Sequence, residues 1–98
     1  MVRYAVLLNW TEKGVAAVKH SVARAEAFRA AAAKAGVQVE AQYWTVGGYD
    51  GLFLLNAPDD LTASAVVLQL GQAGNVRTCM LRAFDQAEFK KILAKVGP

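Results

Sequence analysis

The hydrophobic pattern changes period several times along the chain, and each change marks an element. Val2 to Leu8 is apolar almost without a break, with Tyr4, Ala5, Val6, Leu7 and Leu8 in a row. Such a run reads as a strand covered on both faces, and so as a central one. From Glu12 to Ala35 the residues Val15, Val18, Val22, Ala25 and Phe28 recur every three or four positions, which is a helical period. Thr11 or Asn9 is placed to cap its start. His20-Ser21 interrupts the pattern, so one kinked helix or two helices fit, with Ser21 as the cap of a second piece. Gly36 stands where helices commonly end in the left-handed conformation.

Period two follows. Val37, Val39, Ala41, Tyr43 and Thr45 alternate with Gln38, Glu40, Gln42 and Trp44, which predicts a half-exposed strand at a sheet edge. Gly47 and Gly48 make a turn. Gly51 to Ala57 is a second nearly continuous apolar strand, and the pair reads as a hairpin. Pro58-Asp59-Asp60 opens a helix with an aspartate cap. Leu61, Ala65, Leu68 and Gln72 form one row of that helix, widened by Val66, Val67 and Leu70. Gly71 and Gly74 end it. Asn75 to Arg82 reads as a fourth strand. Asp85-Gln86-Ala87-Glu88 has the form of a capping box before a last helix bearing Phe89, Ile92, Leu93 and Val96.

The order β-α-β-β-α-β plus a short C-terminal helix is the split βαβ, ferredoxin-like arrangement. It is an α+β fold: a four-stranded antiparallel sheet with two helices on one face. The chain of 98 residues is expected to form one domain over 1–98. The other sheet face has no helix, yet the central strands are apolar on both sides. Leaving it in water costs roughly 25 cal/mol per Å². The simplest cover is a second copy, so a homodimer or larger oligomer is expected.

Composition adds little to this. The apolar fraction is 55 %, raised by alanine in the middle of the chain. Net charge is +3, but the basic residues are dispersed and form no block, which argues against a nucleic-acid surface. The single cysteine, Cys79, excludes an internal disulfide and is expected to be a small buried residue. The apolar start is too short for a signal peptide or a membrane span. A soluble cytoplasmic protein is expected.

No phosphate loop, GxGxxG, GxSxG or metal-ligand spacing occurs, and no cofactor is expected. The polar and aromatic residues collect at strand ends instead. With strands 3 and 4 flanking strand 1, one end of the sheet gathers Asn9, Trp10, Thr11, Trp44, Tyr49, Asp50, Asn75 and Arg77. These residues could seal the end of the core, with Asp50 paired to Arg77. They could equally line a pocket for a small anionic or planar ligand. The candidate acid–base groups are Asp50 and the lone His20.

LLNWTEKG at 7–14, RAEAFR at 24–29, YWTVGGYDG at 43–51, APDD at 57–60 and GNVRTCMLRAF at 74–84 carry a resemblance. The chain resembles the GYD domain family of bacteria and archaea, named for the Gly-Tyr-Asp at 48–50. The resemblance spans nearly the whole chain. It implies a ferredoxin-like fold related to dimeric α/β barrels and no assigned reaction. Three readings remain open: a small-ligand-binding oligomer, a cofactor-independent enzyme of the monooxygenase or isomerase kind, and an assembly module without chemistry.

Overall fold

The computed structural model describes residues 1–98. The elements run β1 (Val2–Trp10), α1 (Glu12–Ala16), a 3-10 turn (Val18–His20), α2 (Ser21–Lys34), β2 (Gln38–Trp44), β3 (Gly51–Ala57), α3 (Asp60–Gln72), β4 (Val76–Ala83) and α4 (Gln86–Leu93). The strands form one sheet in the order β2-β3-β1-β4, and every pairing is antiparallel. The two unbroken apolar runs are therefore the central strands, and the alternating one lies at an edge. This is the ferredoxin-like α+β arrangement. No helix is long and apolar enough to cross a membrane.

One face of the sheet carries the core. Tyr4, Val6 and Leu8 of β1 stand opposite Leu55, Phe53 and Gly51 of β3. They pack with Ala32 of α2, Val37, and Ala63, Val66 and Val67 of α3. Phe28 lies across Phe53 with ring centroids 5.1 Å apart. Each helix buries an alanine fully against the sheet side, Ala32 in α2 and Ala63 in α3. Small side chains bring the helix axes near the strands, but they fill little space.

The edge strand departs from strict alternation. Its register with β3 shifts between Val39 and Ala41, which makes Glu40 the extra residue of a β-bulge. Glu40 is held outside the ladder, where its carboxylate accepts from the Asn56 side chain and lies 3.6 Å from Arg3. Beyond the bulge, the side chains swap faces. Gln42 and Trp44 stand opposite Phe53 and Gly51 on the helix face, while Ala41 and Tyr43 stand opposite Leu54 and Leu52 on the open face. The alternation had placed Tyr43 and Val39 together.

The first helical segment is two helices with a 3-10 turn between them. Thr11 caps α1, accepting from the Gly14 N–H at 3.1 Å. Ser21 does not cap α2; it is the first helical residue, and its hydroxyl donates back to the Val18 carbonyl. The turn breaks the phase of the apolar row, so Val15, Val18 and Val22 are exposed while Ala25 and Ala32 are buried. In α3 the Asp59 cap and Ala63 set the inward face, so Leu61 and Leu68 point outward. The row Leu61-Ala65-Leu68-Gln72 is thus a surface row.

The open sheet face has no cover within the chain. Ala5 and Leu7 of β1 share it with Leu52 and Leu54 of β3 and with Cys79 and Leu81 of β4. Cys79 is exposed there, not buried, because β4 is the other edge strand. Helix α4 starts with the full capping box of Asp85 and Glu88. Its start is held by Arg3 and Arg82, which lie 3.7 and 3.8 Å from Glu88. Its apolar side remains in water, with Phe89 and Leu93 exposed, as is Val96 just beyond it. The radius of gyration is 14.9 Å, against about 13 Å for a compact chain of this size.

Candidate functional site

The end of β1 is tied to two neighbouring segments by backbone and side-chain bonds. On one side, the Thr11 N–H donates to the Asn75 carbonyl at 3.1 Å and the Thr11 hydroxyl to the Gly74 carbonyl at 2.6 Å. Lys13 Nζ donates to the Ala73 carbonyl at 2.8 Å. On the other side, Asp50 accepts from the Trp10 N–H at 2.8 Å, and the Asn9 amide donates to the Gly48 carbonyl at 3.0 Å. The Thr45 hydroxyl closes the turn on the Tyr49 carbonyl. Gly47, at φ 150°, supplies the backbone conformation that turn requires.

The expected rim therefore separates into two groups. Asn9, Thr11 and Asp50 are occupied in holding the loops. Tyr49 sits in the turn, exposed. Arg77 stands beside Asn9 on the open face and makes no ion pair with Asp50. His20 lies in the exposed 3-10 turn. Trp10, Trp44 and Asn75 share a different feature. They line a cavity of about 300 Å³ between α2, α3 and the helix face of the sheet.

That cavity has a sequence-level cause. Four of the seven α2 residues that line it are alanines, Ala25, Ala27, Ala31 and Ala32, which leave space that larger side chains would occupy. Its walls are largely apolar and aromatic, with Phe28 and Phe53 beside the tryptophans. Gln42 enters it because of the bulge, and its Oε1 is buried with no hydrogen-bond partner. A buried polar atom without a partner costs about 1–3 kcal/mol. Arg24 lies in the same wall. Its Nη1 donates to the Ala17 carbonyl at 2.9 Å, and its Nη2 lies 3.3 Å from the Gly14 carbonyl. It has no carboxylate partner.

Sequence reasoning missed Arg24 and Gln42. Gln42 was placed on the outer face by the alternation, and only the bulge moves it. Arg24 looked like one more dispersed helix charge. The clear pKa displacements lie away from the cavity. Burial and the hydrogen bond to the Asp60 carboxylate push Tyr4 up to about 12. The Thr62 N–H holds Asp59, the α3 cap, below the usual carboxylate value.

The model of the GYD domain family matches residues 4–93. The chain belongs to the GYD domain family. The match covers β1 through α4, so every wall of the cavity lies within the GYD domain. Among solved structures, an ACT domain protein from Streptococcus pneumoniae superposes with a TM-score of 0.51 at 17 % identity. The alignment covers 85 % of this chain and 90 % of that one. At that identity the likeness concerns the fold alone. No curated protein matches the sequence.

Proposed function

We propose that this GYD domain is a small-ligand-binding protein that acts as a homodimer, with its ligand in the cavity between α2, α3 and the sheet. The observation that carries this reading is the buried, unpartnered Gln42 Oε1 in a cavity walled by both tryptophans of the chain. Such a cavity, mostly apolar with a few convergent polar groups, is the usual form of a small-molecule site.

The lining favours binding over chemistry. Its ionisable group is Arg24, and it contains no carboxylate, histidine or cysteine. General acid–base catalysis needs a group poised near neutral pH within reach of the substrate. Asp50, the best such candidate from the sequence, accepts hydrogen bonds outside the cavity.

Two apolar surfaces support the dimer: the open sheet face and the outward side of α4. An isolated eight-residue helix is marginal in water, so α4 gains from packing against something outside its own chain. A two-fold, sheet-on-sheet contact covers the same patch on both copies. The unpaired, exposed Cys79 suits a reducing cytoplasm.

Native mass spectrometry on protein purified without added ligand tests both parts. The expected result is a dimer that carries a reproducible small mass. A monomer would remove the dimer. A bare dimer, combined with no response of the tryptophan emission to any apolar probe, would remove the binding cavity.

A further inference from the structure

The cavity holds a positive charge with nothing to neutralise it. The four ion pairs of the protein all involve Arg3 or Arg82, at the far end of β1. Arg24 is not among them. Its nearest acid along the helix, Glu26, is two positions on, and residues at that spacing do not face each other. The guanidinium is instead fixed by the neutral Ala17 and Gly14 carbonyls and by Ser21 Oγ at 3.4 Å. It is held in place but not neutralised. Ser21 and Arg24 both belong to the first turn of α2 and both line the cavity.

The remaining walls restrict what else the ligand carries. Trp10, Phe28 and Trp44 offer flat apolar surfaces, which suit a ring. One guanidinium matches a single carboxylate, whereas a phosphate would bring a second charge into apolar walls. A cationic ligand would meet a like charge. Gln42 Oε1, buried and without a donor, asks for a hydroxyl or N–H.

We infer that the ligand is an aromatic monocarboxylate carrying a hydrogen-bond donor, with its carboxylate on Arg24 and its hydroxyl or N–H on Gln42. This rests on the binding reading above and adds the ligand's charge and donor to it. Both tryptophans of the chain line the cavity, so their emission reports occupancy without a label.

The test titrates the unmutated protein with para-hydroxyphenylacetate, with its neutral isostere para-hydroxyphenylacetamide, and with indole as a plain apolar probe. A charge-assisted bond to a fixed guanidinium predicts that the acid binds at least roughly tenfold more tightly than the amide. Arg24→Gln abolishes that preference while leaving the amide affinity within about twofold. The ligand pair on the unmutated protein decides the matter even if the variant fails to fold. Equal affinity for acid and amide overturns the inference, and so does a response to indole alone; in both cases the cavity reading stands. No saturable response to any of the three overturns the inference and the binding reading together.

Discussion

The Asp50 carboxylate accepts the backbone N–H of Trp10 at 2.8 Å, so one side chain fixes the β2–β3 turn against the end of β1. The Asp50 N–H also donates to the Leu8 carbonyl at 2.9 Å. The family's Gly-Tyr-Asp is therefore a latch behind the cavity wall, and its aspartate is the working part. Asp50→Ala is expected to lower stability by about 1–2 kcal/mol, the usual worth of a hydrogen bond to a charged group at a half-exposed site. Asp50→Asn keeps an acceptor and is expected to lose less than half of that. Urea denaturation midpoints of the two variants check the order.

Gly14 lies where α1 crosses the α3–β4 connection, and a Cβ there would overlap the Asn75 carbonyl oxygen. That carbonyl is fixed, since it accepts the Thr11 N–H. Neither side can yield without breaking the junction. Gly14→Ala should cost about 3 kcal/mol, at the upper end of overpacking effects. Gly71→Ala, which meets open space, is expected to be neutral or slightly stabilising. Thermal denaturation of the two alanine variants separates the steric effect from helix propensity.

The same residues show what the sequence could reveal. Strand order follows from two unbroken apolar runs and one alternating one, because β1 and β3 carry no polar position until their ends while β2 alternates. Capping is local chemistry, so the Asp85 box was legible, and Thr11 and Asp59 were each one of two candidates; Ser21, offered on the same ground, does not cap α2. The cavity was not. It depends on a single extra residue, Glu40, whose bulge turns Gln42 and Trp44 inward. It also depends on helix phase, which the turn at Val18–His20 resets. Periodicity assumes an unbroken element, so it put Val15 and Val18 in one apolar row across the Val18–His20 turn; in the unbroken α3 it favoured the Leu61-Leu68 row over the Ala63-Val66-Val67 face that packs. Distances between elements decided the rest: the sheet end does gather Asn9, Asp50 and Thr11, but loop-holding bonds use them up.

Tyr4 gives the protein a weakness at high pH. Its hydroxyl donates to the Asp60 carboxylate from a buried position, and its pKa rises from the usual 10.0 to about 12. Below pH 10 the tyrosine is protonated in both states and its contribution is complete. Between about pH 10 and 12 the unfolded chain ionises first, and stability falls as pH rises. The loss is about 1–2 kcal/mol, because Asp60 itself is solvated. In Tyr4→Phe, stability at neutral pH is lower but this share of the alkaline slope disappears. Melting temperatures from pH 8 to 12 for both proteins measure the difference.

Gln42 separates stability from binding. On the proposed binding reading, its buried Oε1 lowers the stability of the empty protein and is satisfied when a ligand donates to it. Gln42→Leu keeps the volume and removes the orphan acceptor. The variant should be more stable than the parent by about 1 kcal/mol. It should also lose any preference for para-hydroxyphenylacetate over phenylacetate, a pair that differs only in the donor. A Gln42→Leu protein less stable than the parent would mean that water or a neighbour already satisfies the amide. Chemical denaturation and paired titrations give the two readouts independently.

Two exposed leucines test which apolar surface the proposed dimer uses. Leu81 lies on the open sheet face near Cys79, and Leu68 lies on the outward row of α3. Both are exposed, so an aspartate at either position is tolerated by the folded chain. In a sheet-on-sheet dimer, Leu81→Asp places a carboxylate in the contact on each copy. Two such charges without partners cost roughly 3 kcal/mol or more, which raises the dissociation constant at least about a hundredfold. Leu68→Asp should leave it unchanged, because α3 faces away from the sheet's open side. Sedimentation equilibrium on the two variants decides which apolar surface the second copy covers. A dimer that survives Leu81→Asp but not Leu68→Asp would put the contact on the helices, leaving the open sheet face bare.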